Sequence, residues 1–314
     1  MANVLVIGGS GFIGSHLIDS LVKRGHNVTS FSRLNGPTTK NLKHLEGKIQ
    51  MIDGDYFNDQ EKLENAVAQS EFVFHMGSAG SPADPSDIQQ NMQATFDLIE
   101  TCAKHGVKFI YPSSGGTVYG NQTVERLSEN SPTEPISLYG DAKKRIEQKL
   151  IDYKNQGKLD SIIFRISNPF GPRQNPYGKQ GLIPIALQKI REGHPIEIFG
   201  DGNSVRDYIY VTDLTELMAS IFNLPTEHTI YNVGSGNGHT INDILEIYRQ
   251  RLGLEFEVVY YPARGVDVLR VVLDPTRVQN EFGFEPKVDF VEGIVQTYNY
   301  IRELNQEGEK LPLK

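Results

Sequence analysis

The sequence predicts an α/β fold built on a doubly wound parallel sheet. Short β-branched apolar runs alternate with amphipathic stretches through the first half of the chain, and the first such run ends in a glycine-rich turn at residues 8–14. Strands buried on both faces read as near-continuous apolar runs, whereas amphipathic helices repeat apolar residues every three or four positions. Regular alternation of the two is typical of a parallel sheet with helices on both faces.

Six apolar runs are predicted as the strands of this sheet: Val4–Ile7, Val28–Phe31, Ile49–Ile52, Phe72–Phe74, Phe109–Ile110 and Ile162–Ile166. Four stretches between them are predicted as helices: Phe12–Lys23, Gln60–Ala68, Ile88–Lys104 and Lys143–Tyr153. We expect this domain to span residues 1–167, with a return segment near 207–235.

After Ile166 the composition of the chain changes. Residues 168–181 are rich in Pro, Gly and Asn, which indicates a loop at an active site. The predicted elements beyond it are the helix Leu182–Arg191, the strand Ile196–Phe199, the helix Leu214–Phe222, the strand Ile230–Val233 and a helix capped by Thr240 and ended by Gly253. We therefore expect a smaller C-terminal α/β domain over residues 168–314 that binds the substrate.

Charge and cysteine content limit the classes of partner and compartment. The 314-residue chain carries a formal net charge of −8 at pH 7, which disfavours a general nucleic-acid binder because phosphate backbones attract an excess of Lys and Arg. The single cysteine, Cys102, excludes an internal disulfide and suits a reducing cytosol. Its position in a predicted amphipathic helix indicates a core residue. No pair among the eight histidines has metal-ligand spacing, so no metal site is expected.

The apolar run that ends at Gly8 is too short for a signal peptide or a membrane span. We therefore expect a cytoplasmic protein with no membrane partner.

The glycine turn has the spacing of a phosphate-binding loop. Gly8, Gly11 and Gly14 lie three residues apart between the first strand and the first helix, which begins with Phe12 and Ile13. Glycine lets the turn close and lets backbone N–H groups approach a pyrophosphate, which then faces the positive end of the helix. The position between an N-terminal strand and a helix makes this pattern specific, and it predicts a Rossmann-type site for a dinucleotide.

The end of the second strand bears on which dinucleotide is bound. A carboxylate there would hydrogen-bond the ribose diol of NAD, whereas this chain has Ser32 followed by Arg33. A guanidinium tolerates a 2′-phosphate, which favours NADP over NAD. Arg33 as an ordinary solvated residue is the alternative.

One tyrosine has the spacing of an acid–base pair with lysine. Among the fourteen tyrosines, Tyr139 alone has a lysine, Lys143, four residues later, which places both on one face of a helix. A nearby ammonium favours the phenolate and lowers the pKa of the phenol towards the range useful for proton transfer. Because this pair follows a dinucleotide motif and the hydroxyls of Ser113 and Ser114, we predict that it is catalytic.

These motifs together resemble the extended short-chain dehydrogenase/reductase family. The likeness narrows to the nucleotide-sugar epimerase/dehydratase group typified by UDP-glucose 4-epimerase, and it covers nearly the whole chain. It is carried by residues 8–14, by SSGGTVYG at 113–120, by the Tyr139–Lys143 pair, by FRISNPFGPR at 164–173, by IFGDGNSVRDYIYVTD at 198–213 and by residues 264–274.

The resemblance implies roles for residues that match the motifs of the family. Tyr139 would be the general base for a sugar hydroxyl, Lys143 would bind the nicotinamide ribose, and Asp55 would contact the adenine. On the substrate side, Asn168 would lie at the diphosphate, Arg206 and Arg264 would hold the diphosphate, and Phe199 would pack near the uracil. The alternatives are a solvated Arg206, an interdomain salt bridge for Arg264 and a core position for Phe199.

The chain departs from the family pattern at two positions. Gly115 stands where the epimerases have their catalytic serine, so Thr117 or Ser114 must supply that hydroxyl, and we favour Thr117. Val271 stands where some relatives have a bulky tyrosine. A small side chain there would admit an N-acetyl group, although Val271 is equally compatible with a core strand.

The resemblance implies a nucleotide-sugar 4-epimerase that acts on a UDP-hexose or UDP-N-acetylhexosamine with NADP or NAD. An NADPH-dependent 4-keto-sugar reductase would use the same Tyr139 and Lys143, and the Ser32–Arg33 strand end favours it. A 4,6-dehydratase is less compatible because residues 115–117 contain no carboxylates. A non-catalytic dinucleotide sensor would be expected to have lost the Tyr–Lys pair. The resemblance also implies a homodimer formed through the helices at 88–104 and 143–153.

Overall fold

The protein is described by a computed structural model that covers residues 1–78, 80–178, 180–224, 226–263 and 268–306. Its strands are β1 (Asn3–Ile7), β2 (Asn27–Ser32), β3 (Gln50–Asp53), β4 (Phe72–His75), β5 (Lys108–Ser114), β6 (Ser161–Ile166), β7 (Asn168–Phe170), β8 (Ile196–Phe199), β9 (Val205–Tyr210), β10 (Ile230–Val233), β11 (Gly238–Thr240), β12 (Val258–Tyr261) and β13 (Arg270–Val271). Its α-helices are α1 (Phe12–Lys23), α2 (Gln60–Ala68), α3 (Pro85–His105), α4 (Leu138–Asn155), α5 (Leu182–Arg191), α6 (Val211–Met218), α7 (Ile241–Leu252), α8 (Thr276–Phe282) and α9 (Phe290–Gln306).

Seven strands form one parallel sheet in the order β10-β6-β5-β4-β1-β2-β3. Every neighbouring pair in this sheet is parallel. The chain moves outward from β1 to β3 and then returns to β4 on the other side of β1. In such sheets ligands bind outside the carboxyl ends of the strands, at the point where the strand order reverses. The predicted doubly wound α/β fold is therefore confirmed, and its ligand crevice opens between β1 and β4.

The core lies on both faces of this sheet because successive strand residues point to opposite sides. In β1, Val4 and Val6 join one hydrophobic cluster with Leu17 and Leu21 of α1. The intervening Leu5 and Ile7 join a second cluster that includes the buried Cys102 of α3. The prediction that Cys102 is a core residue is confirmed, and burial raises the pKa of its thiol far above the ordinary value.

The C-terminal part forms smaller sheets around a third hydrophobic cluster. Strands β11, β9 and β13 form one sheet, to which β7 is added through β9, while β12 pairs with β8. Helices α5, α7 and α9 contribute Leu187, Ile244 and Ile294 to the shared core. Strand β10 does not join these sheets but pairs with β6 of the large one. The predicted domain limits at residues 167 and 168 and the return segment stay a prediction.

Several predicted boundaries were wrong, and each error has a local reason. The helix predicted from Lys143 begins at Leu138, because the Ser137 hydroxyl caps it by accepting the Gly140 N–H at 3.1 Å. The helix predicted at 214–222 spans 211–218. Strands β7, β9, β11, β12 and β13 were not predicted, because they lie among turns and lack the regular alternation with helices that marks the strands of the large sheet. By contrast, the predicted Thr240 cap and Gly253 end of α7 are confirmed, with a reciprocal Thr240–Asp243 capping box.

Across the part of the chain that the structure describes, we find no helix with the combined length and apolarity needed to cross a bilayer.

Candidate active site

The glycine turn after β1 leaves room only for backbone. Gly8 has a φ of +74°, and a Cβ there would lie 2.6 Å from the Gly77 Cα. A Cβ on Gly14 would lie 2.4 Å from the Gly8 carbonyl oxygen. The turn is closed by the Gly11 N–H, which donates to the same oxygen at 3.0 Å. A side chain at Gly8 or Gly14 would therefore displace the backbone of the turn.

Helix α1 begins directly at this turn, and no side chain in the part of the chain that the structure describes caps its first amides. Gly11 is its N-cap and has no side chain to bond them, and the first turn, which includes Phe12 and Ile13, contains no acidic residue. Unbonded N–H groups at a helix N-terminus attract phosphate oxygens. The predicted cofactor residues Gly8, Gly11 and Gly14 thus form, together with the start of α1, a cradle that fits a dinucleotide pyrophosphate.

Ser32 and Arg33 at the end of β2 face different surroundings. Ser32 is buried, and its hydroxyl accepts the Ser10 N–H at 3.1 Å, so this hydrogen bond ties the glycine turn to the end of β2. The Arg33 side chain is 62% exposed, and its Nη1 lies 3.9 Å from Oδ2 of Asp55. The carboxylate of Asp55 also accepts the Phe57 N–H at 2.9 Å. Arg33 and Asp55, predicted separately as cofactor contacts, therefore lie together at the edge of the sheet.

Tyr139 and Lys143 lie one turn apart on α4, as their spacing predicted. The Lys143 ammonium donates a hydrogen bond to the Pro112 carbonyl at 3.1 Å and lies 5.6 Å from the centre of the Tyr139 ring. Pro112 belongs to β5, so the pair faces the carboxyl end of that strand. A Cβ on Gly140 would lie 2.7 Å from the Thr117 carbonyl oxygen, which shows how closely the start of α4 packs on residues 114–117.

Three hydroxyl groups lie at the end of β5 and in the turn that follows it, and they differ in their surroundings. The Ser113 hydroxyl donates to Oε1 of Glu147 and is buried. The Thr117 hydroxyl is also buried, but among the described residues it has no hydrogen-bond partner. Ser114 is partly exposed at the strand end. Ser113 is therefore engaged within the protein, whereas the Thr117 hydroxyl has no partner among the described residues and Ser114 is partly exposed.

Gly115 cannot simply be replaced by the serine of the family. A Cβ at this position would lie 2.6 Å from Cδ1 of Leu273 and 3.2 Å from the Arg165 carbonyl oxygen. Leu273 is fully buried. Its backbone is fixed on the segment around Leu127, because the N–H of the next residue, Asp274, donates to the Leu127 carbonyl at 2.8 Å. The departure at Gly115 thus follows from a leucine side chain that occupies the space.

A buried ion pair behind the catalytic helix was not predicted. Arg165 on β6 donates to both carboxylate oxygens of Glu147, with Nη2 at 2.7 Å, and to the Tyr119 hydroxyl at 3.0 Å. Tyr119 in turn donates to Asn232 of β10 at 2.6 Å. The available signal was Glu147, four residues after Lys143, together with a charged Arg165 inside an otherwise apolar strand.

The predicted substrate residues lie on the smaller sheets. Asn168 follows β6 closely, and its side-chain amide donates to the Asp207 carbonyl at 2.8 Å. Arg206 is half-buried on β9, and its Nη1 donates to the Val205 carbonyl at 3.0 Å. Phe199 is 39% exposed, which overturns the core alternative for it. Its ring stacks on Tyr261 with centres 5.4 Å apart. Arg264 lies outside the described residues.

Val271 does not line an open pocket. Its side chain is 1% exposed and packs with Val118, Leu127 and Leu273 in a small hydrophobic cluster. The core-strand alternative for Val271 is therefore correct, and the suggested role of this residue in admitting an N-acetyl group was wrong. Among the residues that the structure describes, no cluster of three or more His, Cys and carboxylate groups could hold a metal ion.

A phosphate cradle at the first helix, beside a Tyr–Lys pair at the end of β5, defines a nicotinamide-dinucleotide-dependent enzyme of the extended short-chain dehydrogenase/reductase type. The family model "NAD dependent epimerase/dehydratase family" matches residues 4–234. The chain therefore belongs to the NAD-dependent epimerase/dehydratase family.

Three similar proteins illustrate the range of this family. The UDP-glucose 4-epimerase of Thermotoga maritima, solved with UDP-glucose, is 34% identical with a TM-score of 0.89 and covers 96% of this chain and 99% of its own. The UDP-glucose 4-epimerase of Thermus thermophilus, solved with NAD, is 33% identical with a TM-score of 0.86 over the same fractions. The dTDP-4-dehydro-6-deoxyglucose reductase of Escherichia coli is 31% identical, with 95% of this chain and 97% of the relative covered.

Proposed function

We propose that the chain is a nucleotide-sugar 4-epimerase that acts on a UDP-hexose or UDP-N-acetylhexosamine by transient oxidation at carbon 4. The observation that carries the proposal is that Lys143, one turn after Tyr139 on α4, bonds the Pro112 carbonyl near the carboxyl end of β5, the same edge of the parallel sheet at which the Gly8–Gly14 turn follows β1. Similarity to an epimerase structure that holds UDP-glucose supports the substrate class.

In this mechanism the chain supplies proton transfer and charge. The Tyr139 phenolate accepts the proton of the sugar 4-hydroxyl as the C4–H bond breaks. The Lys143 ammonium stabilises the phenolate because it lies beside the same ring. A dinucleotide held by Gly8, Gly11, Gly14 and the start of α1 would supply hydride chemistry at C4. Tyr139 gives its proton back to the C4 oxygen after the 4-keto sugar has presented its other face, so there is no net redox change.

Cofactor-free turnover tests this proposal against its main rival. An epimerase that retains its dinucleotide converts UDP-glucose and UDP-galactose into each other without added cofactor. A 4-keto-sugar reductase, which the Escherichia coli relative supports, would require NADPH and a keto-sugar substrate and would consume one NADPH per product. We expect product formation without NADPH consumption. Strict dependence on added NADPH would contradict the epimerase proposal and support the reductase. A non-catalytic dinucleotide sensor would form no product in either assay.

A preference for NADP over NAD is proposed from Ser32 and Arg33. Ser32 offers no carboxylate to a ribose diol, and the Arg33 guanidinium that follows it is exposed, so it could pair with a 2′-phosphate. The family description and the Thermus relative name NAD, so direct comparison is decisive. Arg33→Ala is expected to weaken NADP binding about tenfold and to leave NAD binding unchanged. Equal effects on the two cofactors would remove the preference.

The hydroxyl that orients the sugar is proposed to be that of Thr117, with Ser114 as the second candidate. A buried hydroxyl without a partner costs free energy unless a ligand completes it, and Thr117 is in this state among the described residues. Thr117→Val keeps the shape and is expected to lower kcat about a hundredfold, while Ser114→Ala has a smaller effect. The reverse order would assign the role to Ser114.

The roles of the remaining substrate residues and the identity of the sugar are also proposed. On the basis of the family motifs, Asn168 is proposed to lie at the diphosphate of the sugar nucleotide, and Arg206 and Arg264 to hold it. Phe199 is proposed to pack near the uracil, and Asp55 to contact the adenine. Since Val271 is buried, it offers no argument for an N-acetyl sugar. Parallel assays with UDP-glucose and UDP-N-acetylglucosamine decide the sugar, and a clear excess of kcat/KM for one of them defines the substrate.

A homodimer through the outer faces of α3 and α4 is proposed from family resemblance. These faces carry an open groove lined by Phe96, Arg145 and Tyr153, beside a Lys149–Glu100 ion pair of 2.6 Å. Light scattering is expected to give twice the chain mass, and Arg145→Glu is expected to lower it. A monomer at assay concentrations would contradict the proposal. Cytoplasmic location stays a prediction from the sequence.

A further inference from the structure

A second phenol lies against the catalytic ammonium. The Lys143 Nζ lies 4.6 Å from the centre of the Tyr111 ring, closer than the 5.6 Å to the Tyr139 ring. Tyr111 is the residue before Pro112, whose carbonyl accepts the Lys143 hydrogen bond at 3.1 Å. The ammonium is therefore held between a strand and two aromatic rings, and only one of these rings has a role in the proposed reaction.

Tyr111 is fixed by its own surroundings. It is 2% exposed, and its ring belongs to a cluster of three aromatic rings, with its centre 6.4 Å from that of Phe109 and 6.3 Å from that of His75. His75 is held in turn, since its Nε2 lies 3.0 Å from the Thr95 hydroxyl. A ring packed in this way offers Lys143 a surface that cannot move away, whereas Tyr139 is partly exposed at the start of α4.

The carboxylate that follows Lys143 on α4 is already paired, and two titratable rings near the ammonium are neutral. Glu147, one turn later on α4, is paired with Arg165 of β6 at 2.7 Å. Burial lowers the pKa of His75 on β4 to about 3, so this imidazole is neutral. Burial also raises the pKa of Tyr111 to about 12, against a smaller opposite effect of Lys143, so this phenol is neutral too. Attraction between an ammonium and an aromatic ring is strongest in such desolvated surroundings.

We propose that Tyr111 is a positioning residue that holds the Lys143 ammonium at the distance from Tyr139 at which it stabilises the phenolate. The inference rests on the proposed catalytic role of the Tyr139–Lys143 pair. Without the Tyr111 ring, Lys143 keeps its bond to the Pro112 carbonyl but can swing away from Tyr139. The phenol then loses part of the charge that favours its ionised form.

Two substitutions separate the contributions of the ring and the hydroxyl. Tyr111→Leu removes the ring, and Tyr111→Phe keeps the ring and removes the hydroxyl. Tyr231→Phe is the matched control, because Tyr231 is fully buried in the same sheet and its hydroxyl bonds the His228 carbonyl and Glu281. Ultraviolet phenolate absorbance is titrated for each protein and for the same protein with Tyr139→Phe, so that the difference isolates Tyr139.

We expect Tyr139 to ionise about one pH unit higher in Tyr111→Leu, with a smaller shift in Tyr111→Phe and none in the control. The acidic limb of the kcat profile moves by the same amount, kcat at neutral pH falls about tenfold, and KM for the sugar nucleotide is unchanged. If Tyr111→Leu fails to fold, the Phe variant decides. Titration curves identical to wild type in the variants that fold would overturn the proposal.

The titration also distinguishes failure of this inference from failure of the proposed function. It needs no turnover, so it reports on Tyr111 whatever reaction the enzyme catalyses. Full activity of Lys143→Met would contradict the catalytic pair itself, whereas an inactive Lys143→Met with unshifted Tyr111 variants would contradict only the positioning role.

Discussion

At the catalytic loop, the side chain of Leu273 decides which residue can stand at position 115. An ideal Cβ on Gly115 meets Leu273 at 2.6 Å, whereas one on the next residue, Gly116, has its nearest contact at 3.8 Å from the Ser114 hydroxyl. The pattern of a family can thus be broken at one position by a neighbour that lies far along the chain. Leu273 lies 158 residues after Gly115 in the sequence. The motif around Gly115 therefore shows that the serine is missing but not that Leu273 excludes it.

Gly115→Ser is expected to destabilise the protein by about 1–3 kcal/mol, since overpacking a rigid core costs energy in this range. Combining it with Leu273→Ala opens the space and relieves part of the overpacking, although Leu273→Ala alone also destabilises by leaving a cavity. Urea unfolding of the four proteins in the cycle measures the coupling. Gly116→Ser is the control and is expected to be nearly neutral. An additive cycle would show that Leu273 does not exclude the serine.

At the scale of elements, helix α4 is positioned by its cap and by its packing on the preceding loop. The Ser137 hydroxyl bonds the Gly140 N–H, and Gly140 packs on the Thr117 carbonyl. Tyr139 therefore occupies the first turn, where fraying would move it. Helix α7 has a comparable cap in Thr240 but lies in the C-terminal part of the chain.

Ser137→Ala is expected to cost about 1 kcal/mol of unfolding free energy through loss of the cap and to lower kcat several-fold, because Tyr139 becomes less ordered. Thr240→Ala is expected to cost a similar amount without changing kcat. Chemical denaturation and steady-state kinetics on both variants measure the two effects. Equal kcat values in the two variants would show that the α4 cap has no part in placing Tyr139.

The elements of the fold differ in how well the sequence predicts them. The strands and helices around β1 were predictable because short apolar runs alternate there with amphipathic stretches, and the Tyr139–Lys143 pair because its spacing matches a helical turn. Strands β9 and β13 were not predicted, because they lie among turns without such alternation, and only the fold pairs Val205 with Arg270. Tyr111 was missed for a similar reason: it looks like an ordinary strand residue until the packing of α4 brings Lys143 onto its ring.

At the scale of the whole molecule, two buried histidines link stability to pH. Burial lowers the pKa of His16 to about 4 and that of His75 to about 3, against 6.5 as the ordinary value. His16 contacts the Pro172 carbonyl at 3.0 Å and so joins α1 to the loop after β7. Both imidazoles must be neutral in the folded protein, whereas the unfolded chain protonates them below about pH 6.5.

The stabilising effect of these neutral histidines is therefore present above pH 6.5 and is lost as the pH falls towards 3–4. One pH unit corresponds to about 1.4 kcal/mol, so each histidine accounts for a few kcal/mol of acid destabilisation. Unfolding free energies from pH 7 to 4.5 are expected to fall less steeply for His75→Gln and His16→Asn than for wild type. His194→Gln, at an exposed position, is the control. Parallel curves for all four proteins would contradict this assignment.

The central claim is that the phenol of Tyr139 carries the proton of the sugar hydroxyl. The most direct test is nuclear magnetic resonance of UDP-glucose incubated with the purified protein and with Tyr139→Phe, without added cofactor and with equal dinucleotide content confirmed in both. We expect wild type to bring UDP-glucose and UDP-galactose to equilibrium and the variant to do so about 10²–10⁴ times more slowly. Equal rates for the two proteins would contradict the account.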